Sequence, residues 1–187
     1  MERPAAYEAG VRLLGPRALT AREVRARLAR RGYPADEIDE AILALTARGY
    51  LDDRALAYNV ATTLAERRLY GKPRIAAELS RRGVAADAIG EALERVFAGL
   101  DEDAMARKAA GRGSAAGAVP TDKRARERTA RSLLRRGFSR GAVARALGNN
   151  ASGAGSAADT DAEHHGAGAD FEESEDFRHE DDFERDS

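Results

Sequence analysis

The sequence lacks cysteine and tryptophan, and aromatic residues make up only 5% of its 187 positions. Without cysteine, neither a disulfide framework nor a thiolate metal site can form, which fits a reducing compartment. No apolar run is long enough to span a bilayer, and the first ten residues, MERPAAYEAG, lack the apolar core of a secretory signal. We therefore expect a cytoplasmic protein that makes no membrane contact.

The net charge of −1 hides a strong asymmetry along the chain. Residues 149–187 hold 13 acidic and two basic residues, whereas residues 1–148 hold 19 acidic and 29 basic residues. A body with a charge of +10 is thus followed by a tail with a charge of −11. This split favours a polyanion or an acidic protein surface as partner. The tail has the composition of a disordered segment, which serves either as a solvating appendage or as a shield over the basic body.

One sequence pattern occurs three times, as RLARRGYPADEIDEAI, ELSRRGVAADAIGEAL and SLLRRGFSRGAVARAL. Each copy has a helix-like run, the triplet Arg-Arg-Gly and a second helix-like run, with apolar residues spaced i, i+4. The glycine can adopt the left-handed conformation that ends a helix, and the arginines complement the negative end of the helix dipole. Aligned on Leu28, Leu79 and Leu133, the copies are 51 and then 54 residues apart. We call the triplets the three RRG turns: residues 30–32, 81–83 and 135–137.

These patterns predict an all-α protein built from tandem three-helix repeats, because no segment shows the alternation of a strand. A capping box at Thr20 and Glu23 and the pair Asp52-Asp53 mark two helix starts. Since a unit this small cannot bury its apolar face alone, the repeats should stack into an elongated, curved body, followed by a disordered acidic C-terminal tail. The predicted boundaries are an N-terminal segment at 1–16, repeat 1 at 17–68, repeat 2 at 69–108, a flexible linker at 109–120, a partial repeat 3 at 121–148 and the tail at 149–187.

The central repeat, Arg67 to Leu93, has a distinctive order of residue types: basic, glycine, Arg-Ile, Glu-Leu, basic, glycine, aliphatic. Together with ARGYLDDRALA at 47–57 and RRGFS at 135–139, this order resembles the RecX family of bacterial recombinase regulators. The resemblance covers residues 17–148, and the Gly/Ala-rich insert at 109–119 and the acidic tail depart from it. The positions in the central repeat are Arg68, Gly71, Arg74, Ile75, Glu78, Leu79, Arg82, Gly83 and Val84.

The resemblance implies a negative regulator of RecA. Members of the family bind RecA, lodge in the helical groove of its filament on single-stranded DNA, and suppress ATPase, strand exchange and coprotease activity. The expected partners are therefore RecA protein and its filament, with DNA phosphates as a further contact, and the expected processes are DNA repair, recombination and the SOS response. We expect a monomer with no cofactor and no enzymatic activity, because the sequence has no Walker loop and no nucleophile paired with a base.

Cations form the candidate contact surface. Arginine outnumbers lysine 28 to 3, and its planar guanidinium suits bidentate contacts with phosphate and carboxylate groups. If the repeats stack, cations at matched positions should share one side of the protein, whereas the alternative is a set of merely solvated helix faces. The candidate RecA- or DNA-binding residues are Arg27, Arg30, Arg31, Arg67, Arg68, Lys72, Arg74, Arg81, Arg82, Arg131, Arg135 and Arg136.

Other interpretations stay open at this point. The chain could be a non-specific DNA-binding helical-repeat protein, with each helix–RRG–helix unit acting as a helix-turn-helix, or a scaffold for another acidic protein. The acidic second helices argue against insertion into DNA. Three further sets of residues have both a chemical and a structural interpretation. They are Asp52-Asp53 (metal pair or helix cap), His164, His165 and His179 (metal ligands or solvated residues), and Tyr7, Tyr33, Tyr50, Tyr58 and Tyr70 (base stacking or, as predicted for Tyr33 and Tyr50, packing).

Overall fold

The computed structural model describes residues 5–15, 17–112 and 119–148, all of which belong to one compact unit. Within these ranges the chain forms nine α-helices and no strand, which confirms the all-α prediction. None of these helices is long and apolar enough to cross a bilayer. The predicted disordered tail at 149–187 lies outside the described residues. The helices are α1 (Ala5–Leu14), α2 (Ala21–Arg30), α3 (Ala35–Ala47), α4 (Asp53–Glu66), α5 (Lys72–Arg81), α6 (Ala86–Phe97), α7 (Glu102–Gly111), α8 (Lys123–Arg135) and α9 (Arg140–Ala146).

The helices pack in three consecutive groups, α1–α3, α4–α6 and α7–α9, which we call modules 1, 2 and 3. This confirms tandem three-helix units, while the predicted curvature of the array stays a prediction. Each module begins one helix earlier than the predicted repeat. Repeat 1 at 17–68 would join α2, α3 and α4, but α4 packs against α5 and α6. The helix–RRG–helix pattern covers only the second and third helices of each module. The pattern therefore fixes the period of the array but not where each unit begins.

Two segments predicted to lie outside the repeats are parts of modules. The N-terminal segment at 1–16 contains α1, whose Ala6 and Tyr7 are buried. The flexible linker predicted at 109–120 begins inside α7, because Ala109 and Ala110 are buried in the last turn of that helix. The small side chains in this segment allow the helix to pack closely against its neighbours. Flexible linkers are also rich in small residues, so composition alone does not distinguish the two. Residues 113–118 lie outside the described part.

The described residues form two separate apolar cores. Module 1 has its own core, which contains the fully buried Leu28 and Leu45. Modules 2 and 3 share a second core, in which Leu79 and Leu133 are almost fully buried. Each such leucine contributes roughly 1.5–3 kcal/mol through burial of its side chain. The apolar core is thus continuous between modules 2 and 3 and interrupted between modules 1 and 2.

Each RRG turn ends its helix by the predicted mechanism. The glycines have φ values of 84°, 85° and 86°, in the left-handed region that favours glycine. The N–H of the residue after each glycine donates to the carbonyl of the aligned leucine, over 3.4, 3.1 and 3.2 Å, which is the Schellman arrangement. The residues are Gly32, Gly83 and Gly137, followed by Tyr33, Val84 and Phe138.

The two predicted helix starts are confirmed. Thr20 is the N-cap of α2, and its side chain and that of Glu23 form a complete capping box. Asp52 is the N-cap of α4, where its carboxylate accepts a hydrogen bond from the Ala55 N–H over 2.8 Å. Both caps satisfy N–H groups that have no partner within the helix.

Candidate functional site

The second helices of the three modules, α2, α5 and α8, meet end to end through their caps. The hydroxyl of Thr20, the N-cap of α2, donates to the carbonyl of Arg82, the C-cap of α5, over 2.8 Å. The N–H of Gly71, the N-cap of α5, donates to the carbonyl of Arg136, the C-cap of α8, also over 2.8 Å. The two junctions therefore use matched positions of the repeat. At each junction the negative end of one helix dipole faces the positive end of the next.

All twelve sequence-predicted binding residues lie on these three helices or beside their junctions. Ten belong to α2, α5, α8 or their C-caps, and the other two, Arg67 and Arg68, follow the last turn of α4. Nine are exposed, whereas Arg27, Arg82 and Arg136 are partly buried. We call the exposed residues the cationic row: Arg30, Arg31, Arg67, Arg68, Lys72, Arg74, Arg81, Arg131 and Arg135.

Arg82 is held inside the junction between modules 1 and 2. Its Nε and Nη2 atoms donate to the two carboxylate oxygens of Glu23 over 3.1 and 2.9 Å, and Nη2 also donates to the Ala18 carbonyl over 3.1 Å. Only 18% of the Arg82 side chain is exposed, against 74% for the neighbouring Arg81. Arg82 therefore joins two modules and offers a partner little surface. A charge reversal there would disrupt the junction, so Arg81 is the better residue of the pair for testing binding.

Two carboxylates beside this junction have pKa values shifted in opposite directions. Burial raises the pKa of Asp53, with Asp52 and Glu23 adding to the shift, although Asp53 accepts a hydrogen bond from the Ala21 N–H over 3.0 Å. Burial also acts to raise the pKa of Glu23, but hydrogen bonds from Arg82 and from the Thr20 N–H outweigh it and lower that pKa. The junction between modules 1 and 2 is thus polar and depends on ionised groups.

Arg27 lies among other cations near the same junction. Burial and the charges of Arg17, Arg30 and Arg82 lower the pKa of Arg27, and Glu23 only partly opposes them. Arg17 was not among the predicted residues, although the 51-residue spacing aligns it with Arg68 and could have identified it. Like charges held this close favour the approach of an anion.

The junction between modules 2 and 3 is rich in arginine. Arg112 and Arg136 each donate from Nη1 to a carbonyl at the end of α4, those of Arg67 and Arg68, over 2.8 Å in both cases. Within the described ranges none of these four arginines takes part in an ion pair. Position 74, which aligns with Glu23 of the first junction, is also an arginine.

A groove of about 790 Å³ opens next to these arginines in module 3. Its guanidinium groups come from Arg112, Arg128 and Arg136, and the lining residues described include no acidic side chain. Arg128 on α8 and Arg136 at its C-cap are about two helical turns apart, and both side chains line the groove. Sequence reasoning missed the groove, since Arg112 lies in the segment interpreted as a linker. Its hydroxyl-bearing lining residues are Thr121, Thr129 and Ser132.

The remaining sequence candidates have different outcomes where the structure describes them. Tyr33 packs against the core of module 1, as predicted, but Tyr50 is 53% exposed, so the prediction that it packs was wrong. The Schellman turn at Gly49 fixes the Tyr50 backbone through its N–H and leaves the side chain in solvent. Among the described residues no cluster of three His, Asp or Glu side chains could hold a metal. The three histidines, at positions 164, 165 and 179, lie outside those residues.

Two family models match consecutive parts of the chain. The model described as "RecX, first three-helix domain" matches residues 6–51, and the one described as "RecX, second three-helix domain" matches residues 52–93. These ranges begin and end close to the limits of α1–α3 and α4–α6. The family models thus divide the chain in the same frame as the packing of the helices.

Curated proteins and solved structures give the same match. The chain is 41% identical over 134 residues to the regulatory protein RecX of Halorhodospira halophila, covering 72% of this chain and 81% of that protein. It is 36% identical over 131 residues to regulatory protein RecX of Mycobacterium ulcerans, covering 69% and 75%. Its fold matches a crystal structure of RecX from Lactobacillus salivarius with a TM-score of 0.61 at 23% identity, covering 76% of this chain and 92% of that one.

Proposed function

Because this chain belongs to the RecX family, we propose that it is a negative regulator of the RecA recombinase. In this proposal it binds RecA and the RecA filament on single-stranded DNA, as a monomer in the cytoplasm, and suppresses ATPase, strand exchange and coprotease activity. Its role is regulatory rather than catalytic, in keeping with the family.

The main support for this proposal is the distribution of the cationic row over all three modules. The row follows three helices whose ends are hydrogen-bonded in sequence, so its cations are spread over all three modules. A filament offers a repeating surface with acidic side chains and DNA phosphates, and guanidinium groups bind both kinds of oxygen anion. A cationic surface spread over three modules suits such an extended partner better than it suits a small ligand.

The ATPase activity of RecA on single-stranded DNA, measured with and without this chain, tests the proposal. The double variant R131A/R135A removes two exposed cations of α8 that have no hydrogen bond or ion pair in the described part of the chain. We expect it to raise the concentration needed for half-inhibition by about tenfold, which corresponds to about 1.4 kcal/mol. The matched control K108A/R140A removes two exposed cations from α7 and α9 that also have no hydrogen bond or ion pair in the described part of the chain, and it should inhibit as well as the wild type.

One outcome would contradict the proposed activity, and another would contradict the role of the cationic row. If the wild-type chain leaves the RecA ATPase unchanged, the chain does not have the proposed activity. If both double variants weaken inhibition equally, net charge rather than the cationic row is responsible. Circular dichroism of each variant, compared with the wild type, separates a loss of binding from a loss of folding.

A second candidate function, non-specific DNA binding, is favoured by the groove in module 3. Its three guanidinium groups and its lack of acidic lining residues in the described part suit a phosphodiester backbone. Binding to naked single-stranded DNA would then weaken by about one log unit in affinity per log unit of salt for each phosphate contact. Inhibition of RecA at concentrations where naked DNA stays unbound would favour the regulator over this alternative.

A further inference from the structure

The three RRG turns have nearly the same backbone but different surroundings. Their C-cap arginines, Arg31, Arg82 and Arg136, have φ values of −88°, −73° and −76° and ψ values between −10° and 1°. The glycines that follow differ by only 2° in φ. Because the backbone is shared, each turn presents its carbonyl, its guanidinium and its glycine in a similar way. What differs is the group that each turn meets.

The turn at 81–83 binds the N-terminus of a helix. Its Arg82 carbonyl accepts the hydroxyl hydrogen of the N-cap Thr20, and its guanidinium binds both the Glu23 carboxylate and the carbonyl of Ala18, just before the cap. Gly83 approaches so closely that a Cβ atom there would lie 2.1 Å from the Arg22 side chain. This contact therefore combines a cap donor, a carbonyl before the cap and a carboxylate in the first turn.

The turn at 135–137 binds the N-terminus of a second helix in the same manner. Its Arg136 carbonyl accepts a hydrogen bond from the N–H of the N-cap Gly71, and its guanidinium donates to the carbonyl of Arg68 before that cap. A Cβ atom on Gly137 would lie 2.9 Å from the Arg74 backbone nitrogen. The shared elements of the two contacts are thus the cap donor and the preceding carbonyl, with the carboxylate as an addition in the first.

The remaining turn, at 30–32, has the same form and no such partner among the described residues. Arg30 and Arg31 are exposed and take part in no ion pair within the described ranges. Apart from its two neighbours in the chain, no described residue lies within 4 Å of the position of a Cβ atom on Gly32. A turn that binds a helix N-terminus at both of its other copies is therefore open to solvent in module 1.

We propose that the turn at residues 30–32 is a docking site for the N-terminus of a helix on a partner protein. The preferred helix begins with a hydroxyl-bearing N-cap and carries a carboxylate in its first turn, as α2 does with Thr20 and Glu23. The exposed guanidinium of Arg31 binds that carboxylate and a carbonyl before the cap. The negative end of the α2 dipole faces the positive end of the partner helix.

A second copy of this chain fits that description poorly. The α8 N-terminus, whose matched counterparts bind the other turns, begins at the N-cap Asp122 with Lys123 and Arg124, and its first turn contains no acidic residue. The α5 N-terminus also lacks an acidic residue and still binds the turn at 135–137, but without the ion pair that Glu23 adds at the turn at 81–83. A second copy would therefore dock without the carboxylate contact that Arg31 can make. The charges therefore point to a different protein with an acidic helix start. Docking at this turn is separate from the proposed action on RecA.

A synthetic helix start provides a probe that needs no RecA. The peptide carries the sequence of residues 17–30 with the substitutions Arg27→Gln and Arg30→Gln. It also carries Arg25→Lys and Ala29→Asp, whose amine and carboxyl side chains are condensed to a lactam because isolated helices this short are marginal in water. Titrated into the ¹⁵N-labelled full chain, it should shift the amide signals of Arg31 and Gly32 with a Kd of about 1 mM or tighter. The amides of Gly83 and Gly137, in the two occupied turns, should stay unchanged and serve as internal references.

Substitutions on both sides identify the contact. Arg31→Gln in the full chain should weaken binding by about tenfold, whereas Arg12→Gln, which removes an exposed arginine of α1, should leave it unchanged. A peptide carrying T20V and E23Q should also bind about tenfold more weakly. The proposal is overturned if the Gly32 amide does not shift at about 5 mM peptide. It is also overturned if Arg31→Gln binds as tightly as the wild type, or if the altered peptide does.

Discussion

At the scale of single residues, one repeated position serves different purposes in different modules. Arg31, Arg82 and Arg136 align in the sequence and share a backbone conformation. Arg31 is exposed, Arg82 binds Glu23 across a junction, and Arg136 donates to a carbonyl at the end of α4. The residue type alone therefore does not separate a cation that binds a partner from one that joins modules. Which of these roles an arginine has depends on the groups of the neighbouring modules that lie against it.

Glu23→Gln is expected to flatten the acid dependence of stability. Because the folded state lowers the Glu23 pKa, its contribution is complete above the ordinary titration range of glutamate and is lost as the pH falls through the folded-state pKa. Asp53 acts in the opposite direction, since its raised pKa gives a contribution that is complete at low pH and lost as the pH rises through that pKa. At pH 7 the variant should lose about 1 kcal/mol, a modest value for a partly exposed pair.

Urea unfolding midpoints at neutral and at acidic pH measure this effect. The difference between wild type and Glu23→Gln should shrink as the pH falls below the ordinary range of a glutamate. A difference that stays constant over that range would mean that the Glu23–Arg82 pair does not contribute through its charge.

At the scale of helices, the junctions depend on close approach of backbone segments. Gly71 is the N-cap of α5, and a Cβ atom at this position would lie 2.1 Å from the carbonyl oxygen of Gly137. A long side chain could change its rotamer to avoid such a clash, but the backbone atoms of Gly137 cannot. Glycine at position 71 is thus required by the neighbouring turn rather than by its own φ of −77°, which any residue can adopt.

Gly71→Ala should destabilise the protein by about 1–3 kcal/mol, because the added methyl group forces α5 and the turn at 135–137 apart. Gly90→Ala is the matched control: Gly90 is exposed inside α6, with no described atom near its Cβ position. There alanine should stabilise by about 0.5–1 kcal/mol, because glycine is a poor helix former. Thermal or urea unfolding of both variants measures the two effects, and a neutral Gly71→Ala would contradict the close junction.

At the scale of the whole described unit, the two cores differ in how they connect the modules. Modules 2 and 3 share one apolar core, whereas module 1 has its own and meets module 2 through a polar junction at Thr20, Glu23 and Arg82. Apolar burial is cooperative across a shared core, while a few hydrogen bonds and one ion pair couple modules more weakly. Module 1 should therefore open separately from modules 2 and 3.

Leu28→Ala and Leu79→Ala test this separation. Each removes a fully buried side chain and should cost about 2–5 kcal/mol in the core to which it belongs. In native-state hydrogen exchange, Leu28→Ala should lower the protection of α1–α3 and leave α4–α9 nearly unchanged. Leu79→Ala should lower protection throughout α4–α9. Equal loss of protection over all nine helices in both variants would show a single cooperative unit.

The sequence by itself determined the helical class, the period of the repeat, the caps at Thr20 and Asp52, and the glycine stop signals. These features depend on residues close together in the chain, where spacing along a helix and local hydrogen bonds decide the structure. It also identified cations that all lie along α2, α5 and α8 or beside their junctions. Local patterns were sufficient for these features because each depends on residues within about two helical turns of one another.

Only the tertiary structure decided where each module begins and which arginines remain free for a partner. Periodicity is unchanged when every boundary moves by one helix, so packing had to assign α4 to module 2 and the last turn of α7 to a core. The burial of Arg82 against Glu23, the arginine-lined groove and the open turn at 30–32 all depend on contacts between residues distant in the chain. Such contacts follow from the three-dimensional arrangement of helices, which no local spacing encodes.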